Sequence, residues 1–168
     1  ASVKNIRITG GNVIAKGGSY KNNSGDSFGG AGIGGGYRLS WSNPALGNVD
    51  GVTISGGAVT AVGGYNAAGI GGGTRGNCSN VTISGGTVNA LGGGDDADRT
   101  DPGAAGIGGG LSTYDYGSDT SGNCENITIS GGEVTAGGYH GIGTGKAENQ
   151  HSTPISTGIK IAPGTNIK

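Results

Sequence analysis

Apolar and polar residues alternate in short runs that stop at paired glycines. In the stretch from Gly51 to Ala61 (GVTISGGAVTA), Val52 and Ile54 share one parity and Thr53 and Ser55 the other, which predicts a half-buried strand with Val and Ile inside. Beyond Gly56-Gly57, Val59 and Ala61 point inward and Thr60 outward. Near-copies begin at Asn5 (NIRITGGNVIA), Asn80 (NVTISGGTVNA) and Asn126 (NITISGGEVTA), and a degraded fifth runs from Gly158 to Ile167. The inward sets are Ile6, Ile8, Val13 and Ala15, then Val81, Ile83, Val88 and Ala90, then Ile127, Ile129, Val134 and Ala136. A second motif, AGIGGG, alternates with the first at Ala31, Ala68 and Ala105 and fades to GIGTG at Gly141, placing Ile33, Ile70, Ile107 and Ile142 inward. Each repeat therefore predicts three strands separated by glycine corners.

No repeat of this size can bury its own apolar face, so the copies must stack strand on equivalent strand in an all-β solenoid, with rungs about 4.8 Å apart. The expected rungs are 5–46, 47–75, 76–121 and 122–153, with a partial capping rung over 154–168 that contains Pro163. Ile8, Ile54, Ile83 and Ile129 are spaced by 46, 29 and 46 residues, so rung 2 is close to a bare repeat. Rungs 1 and 3 carry insertions at 19–28, 37–46, 95–103 and 111–121. Insertions in solenoids gather on one face, often the binding face. The ends of the chain read as mid-array, as expected of a segment from a longer protein.

The alternating motifs resemble the glycine-rich ISGGTVTA/GAGIGGG β-solenoid repeats of large surface-anchored or secreted proteins of Gram-positive, often gut-dwelling bacteria. The resemblance covers nearly the whole chain. It implies a right-handed parallel β-helix, an extracellular or cell-surface location, neighbouring domains in the same protein and a carbohydrate context. Related β-helices include polysaccharide binders as well as glycosidases and lyases.

Composition removes several other classes. The 43 glycines among 168 residues lack an every-third spacing, which excludes collagen. The net charge of -1, without a cluster of Lys or Arg, argues against nucleic acid as a partner. No apolar run is long enough for a membrane span. GAGIGG over 30–35 matches GxGxxG, but it recurs from rung to rung and no helix follows, so a nucleotide site fails on context. Asn22, Asn77, Asn80 and Asn126 match glycosylation sequons and read as incidental to the repeat.

The candidate chemistry lies mainly in the interruptions. Asp95, Asp96, Asp98 and Asp101 form a carboxylate-rich loop beside Arg99. They are candidates for a structural Ca²⁺, which Asp115 and Asp119 could complete, against the alternative of a solvated acidic loop. The rings fall outside the repeat strands, where flat faces beside polar groups suit sugar recognition. An expected groove over rung 2, walled by the insertions of rungs 1 and 3 and floored by 69–73, is lined by Tyr37, Arg38, Trp41, Arg75, Tyr114, Asp115 and Tyr116. Its expected partner is a glycan or a host or cell-surface polysaccharide. Cys78 and Cys124 align where rung 2 has Val49, so they should stack inward, either as buried thiols or as a disulfide. No catalytic residue is assigned: the loop carboxylates lack a rigid support, and His140 and His151 stand alone. The outward Thr-x-Ser ladder at Thr53, Thr82 and Thr128 is broken by Arg7, which argues against ice binding. The favoured function is non-catalytic carbohydrate binding or adhesion through the insertions, and the rival is a stalk that spaces other domains.

Overall fold

The structure, a computed structural model, describes residues 2–37, 47–94, 103–111, 122–145 and 156–168. Rung 1 holds β1 (Val3–Ile8), β2 (Asn12–Lys16), β3 (Ser19–Lys21), β4 (Ser27–Gly29) and β5 (Ile33–Gly34). Rung 2 holds β6 (Val49–Ile54), β7 (Ala58–Val62) and β8 (Ile70–Gly71), and rung 3 holds β9 (Cys78–Ile83), β10 (Thr87–Leu91) and β11 (Ile107–Gly108). Rung 4 holds β12 (Cys124–Ile129), β13 (Glu133–Gly137) and β14 (Ile142–Gly143). The last turn holds β15 (Ser156–Thr157), β16 (Lys160–Ile161) and β17 (Asn166–Ile167).

Equivalent strands pair across rungs, always in parallel. One sheet runs β1-β6-β9-β12-β15 with β16 also on β12, a second runs β2-β7-β10-β13-β17 and a third runs β5-β8-β11-β14. The fold is a right-handed parallel β-helix. Like stacks on like: Ile8, Ile54, Ile83, Ile129 and Ile161 form one ladder. Val13, Val59, Val88, Val134 and Ile167 form another, and Ile33, Ile70, Ile107 and Ile142 a third.

These ladders are the core. Val52, Ile54, Val59, Ile70, Val81, Ile83, Ile107, Ile127 and Ile129 are fully buried, whereas the inward residues of rung 1, Val3, Ile6, Ile8, Val13 and Ala15, are half-buried against the same cluster. Each fully buried Val or Ile contributes about 1.5–3 kcal/mol relative to exposure, so the central rungs hold most of the apolar stabilisation.

The first strand of each rung begins earlier than the repeat suggested, at Val3, Val49, Cys78 and Cys124. In β6 the buried residues are Val49, Val52 and Ile54, so inward parity resets between Val49 and Val52. The cause is a left-handed residue at one register position, with φ of 56° at Asn5, 89° at Gly51, 57° at Asn80, 56° at Asn126 and 66° at Gly158. Glycine and asparagine are the residues that reach this conformation most readily. The strand bends there, and the two halves of the sheet meet at an angle.

Gly71 and Gly108 answer a tighter demand in the third sheet. Both have positive φ, 143° and 145°, and a Cβ on Gly71 would collide with the carbonyl oxygen of Gly108, as one on Gly108 would with that of Gly143. The Ile-Gly pair of AGIGGG thus combines one inward side chain with one position that admits none.

Candidate functional site

Of the expected groove residues, Tyr37 and Arg75 are among those described. Arg38, Trp41, Tyr114, Asp115 and Tyr116 lie outside the described residues, as do the acidic-loop residues Asp95, Asp96, Asp98 and Asp101. Among the described residues no group of three His, Cys, Asp or Glu side chains is placed to hold a metal ion.

The first insertion of rung 1 folds as an antiparallel hairpin, β3 on β4, with Tyr20 opposite Phe28. Its turn is closed by Asn22, whose Oδ1 accepts the N–H groups of Ser24 at 2.9 Å and Asp26 at 2.8 Å. Phe28 is buried, and Tyr37 packs on both Phe28 and Tyr20, with ring centroids 6.0 and 6.5 Å away. Arg75 is only 7% exposed and sets its guanidinium 5.5 Å from the Phe28 ring centroid. Thr74 ties rung 2 to the hairpin: its Oγ1 accepts the Gly29 N–H at 2.7 Å and lies 2.8 Å from the Tyr65 carbonyl. Most of the lining and walls of the expected slot lie outside the described residues. Its glycine floor, 69–73, is buried in the stack of rungs, and Arg75 lies against the Phe28 ring of the hairpin.

Cys78 and Cys124 are register partners on β9 and β12, and both are buried free thiols. The hydrogen bond to the Cys124 side chain, followed by burial and by repulsion from a Cys124 thiolate, holds the Cys78 thiol well above the usual range. A thiol so held is a poor nucleophile and metal ligand.

A different concavity emerges on the outside of the bend. A groove of about 450 Å³ is lined by Ser2, Lys4, Asn48, Val49, Asp50, Asn77, Cys78, Ser79, Asn80, Asn123, Glu125 and Asn126. Two asparagine ladders border it. On one side, Asn48 Oδ1 accepts the Asn77 N–H at 2.8 Å and Asn77 Oδ1 accepts the Asn123 N–H at 3.1 Å. On the other, at the left-handed positions, Asn126 Nδ2 donates to Asn80 Oδ1 at 3.3 Å and Asn80 Nδ2 donates to Asp50 Oδ1 at 2.7 Å. Between them Lys4, Asp50, Ser79 and Glu125 stand in register, one per rung.

The electrostatics of the groove are mildly negative. Lys4 supplies one positive charge, and Asp50 and Glu125 supply two negative ones. Hydrogen bonds from Asn80 and then Ser79 hold the Asp50 carboxyl below its usual range against an opposing effect of burial, with the nearby Lys4 charge adding the least. A carboxyl held ionised in this way is unsuited to be a general acid. Asp50 and Glu125 also lie two rungs apart, about 10 Å along the axis, whereas glycosidase carboxyl pairs sit at about 5 Å or 6.5–9.5 Å. The groove offers a ladder of amides, hydroxyls and carboxylates. The sequence reading missed it, although Gly-Asn before Val49, Cys78 and Cys124, and Asn or Gly at each bend, were its signals.

Fold and groove together define a β-helical module with a polar groove along one line of its rungs. The Beta helix repeat family model matches residues 52–74, 81–111 and 127–146, which overlap three of the copies recognised from their spacing. Comparison with curated proteins and with solved structures gives no match. No helix among the described residues is long and apolar enough to cross a membrane.

Proposed function

We propose that this chain is a non-catalytic carbohydrate-binding or adhesion module of an extracellular or cell-surface bacterial protein. The observation that carries the reading is the groove at the bend, where side-chain amides, a hydroxyl and carboxylates repeat once per rung beside a rigid stack. Sites on regular elements hold their geometry better than sites on loops, and a surface of alternating donors and acceptors matches the hydroxyls of a sugar chain. A glycan array, read with and without calcium, tests it: selective signals support binding, and flat signals under both conditions leave the rival, a spacer stalk.

A second reading places glycan contact on the insertions of rungs 1 and 3. It is favoured by Tyr20, which is 50% exposed and stacked on Tyr37. Loss of array signal in Tyr20→Ala and Trp41→Ala, with groove variants unaffected, selects this face. A Ca²⁺ site formed by the acidic loop of rung 3 belongs to the same reading, and the calcium arm of the array tests it.

A further inference from the structure

We infer that the groove at the bend takes an uncharged, extended polysaccharide lying parallel to the solenoid axis, and that it discriminates against polyuronates. The inference rests on the carbohydrate-binding reading and names the ligand class. Lys4, Asp50, Ser79 and Glu125 occupy successive rungs at one register position, so the groove presents one polar side chain about every 4.8 Å over a length of roughly 14 Å. An extended chain of linked pyranose rings advances by a similar step per sugar, which sets successive hydroxyl groups against successive rungs. The bordering asparagines run in the same direction. A chain lying across the rungs would meet one rung's set alone.

Charge selects among such chains. Asp50 and Glu125 outnumber Lys4, and like charges brought together across an interface cost affinity. A sugar acid at every step would face one or both carboxylates. A single cation does not satisfy the site either, since the two carboxylates are two rungs apart and Asp50 is already bonded to Asn80 and Ser79. A protein partner usually anchors on aromatic or Arg side chains in pockets, and among the groove residues there is no aromatic ring and no arginine.

The test is titration calorimetry of the intact chain with cellohexaose, chitohexaose and hexagalacturonate. The expected result is binding of one or both neutral hexamers and none of hexagalacturonate. Ser79→Ala with Asn80→Gly should weaken neutral binding about tenfold, the loss of one or two hydrogen bonds. This variant keeps the fold because Gly51 already occupies the same left-handed position. Glu125→Lys should narrow the gap between neutral and acidic hexamers, and Thr53→Ala, outside the groove lining, should change nothing. Hexagalacturonate binding as tight as the neutral hexamers and lost in the double variant overturns the ligand class while leaving the carbohydrate reading standing. Neutral binding unchanged by the double variant overturns the site. Failure of every hexamer, together with a flat array, overturns both the inference and the reading beneath it.

Discussion

Asn77 accepts the backbone N–H of Asn123 through its side-chain oxygen at 3.1 Å, although the two residues are 46 positions apart. Asn48 does the same for Asn77 at 2.8 Å across 29 positions. One contact thus recurs whether or not an insertion intervenes, and it holds the corner just before the first strand of each rung. Stacking geometry, and not the length of the connecting chain, fixes the register.

Asn77→Ala removes the acceptor and leaves the half-buried Asn123 N–H to water or to nothing. The expected loss is about 1–2 kcal/mol in urea unfolding, and Asn77→Asp, which keeps an acceptor oxygen, should recover most of it. Equal stability of the alanine variant and the parent chain would show that the ladder is ornamental.

Gly108→Ala tests the close approach in the third sheet. Its Cβ would meet the Gly143 carbonyl, and φ is 145°, so backbone clash and strain act together. Overpacking and a disfavoured backbone each cost about 1–3 kcal/mol. Ala105→Gly in the same motif introduces neither clash nor strain and serves as the comparison. A melting temperature for Gly108→Ala equal to that of the parent chain would contradict the packing described for β11 and β14.

The rungs were legible because inward Val and Ile recur with a strand period and a self-similar motif, and this needs no knowledge of contacts. The bend left only a faint signal, Asn or Gly at one repeat position, because Asn80 and Asn126 look like ordinary polar residues until their positive φ and their bonds to the next rung are seen. Reading the repeat from Asn80 onward cut off the start of a strand that begins at Cys78, and hid the groove that lies over that first half. The rung 1 insertion was visible as an interruption. The hydrogen bond that ties it to rung 2, between Gly29 and Thr74, joins residues 45 positions apart and leaves no mark in the sequence.

Asp50 predicts an acid-sensitive contribution. Its folded-state pKa lies below the ordinary aspartate value of about 3.9, so the unfolded chain takes up the proton first as pH falls. The stabilisation is therefore present above about pH 4 and is lost as pH falls through the lowered folded value. Glu133, lowered by its bond to Lys168, acts in a neighbouring window, so the comparison must be between the parent chain and Asp50→Asn. The difference in their urea midpoints should shrink from pH 5 to pH 2. A difference constant over that range contradicts the assignment.

Cys78 gives the opposite dependence. Its folded-state pKa is raised above the ordinary thiol value of about 8.5, first by the hydrogen bond to Cys124 and then by burial. As pH rises, the unfolded chain releases this proton first, so the stabilisation is complete below about pH 8.5 and is lost as pH rises through the folded value. Val49 occupies the same ladder position in rung 2, which shows that the site accepts a β-branched apolar side chain. Cys78→Val should therefore change stability at pH 7 by less than about 1.5 kcal/mol, and should unfold at a higher urea concentration than the parent chain at pH 10. Cys78→Ser, which buries a hydroxyl in place of the thiol, should be the least stable of the three at pH 7. Parallel curves for the parent chain and Cys78→Val between pH 8 and pH 10 would mean that the Cys78 proton is not held by the fold.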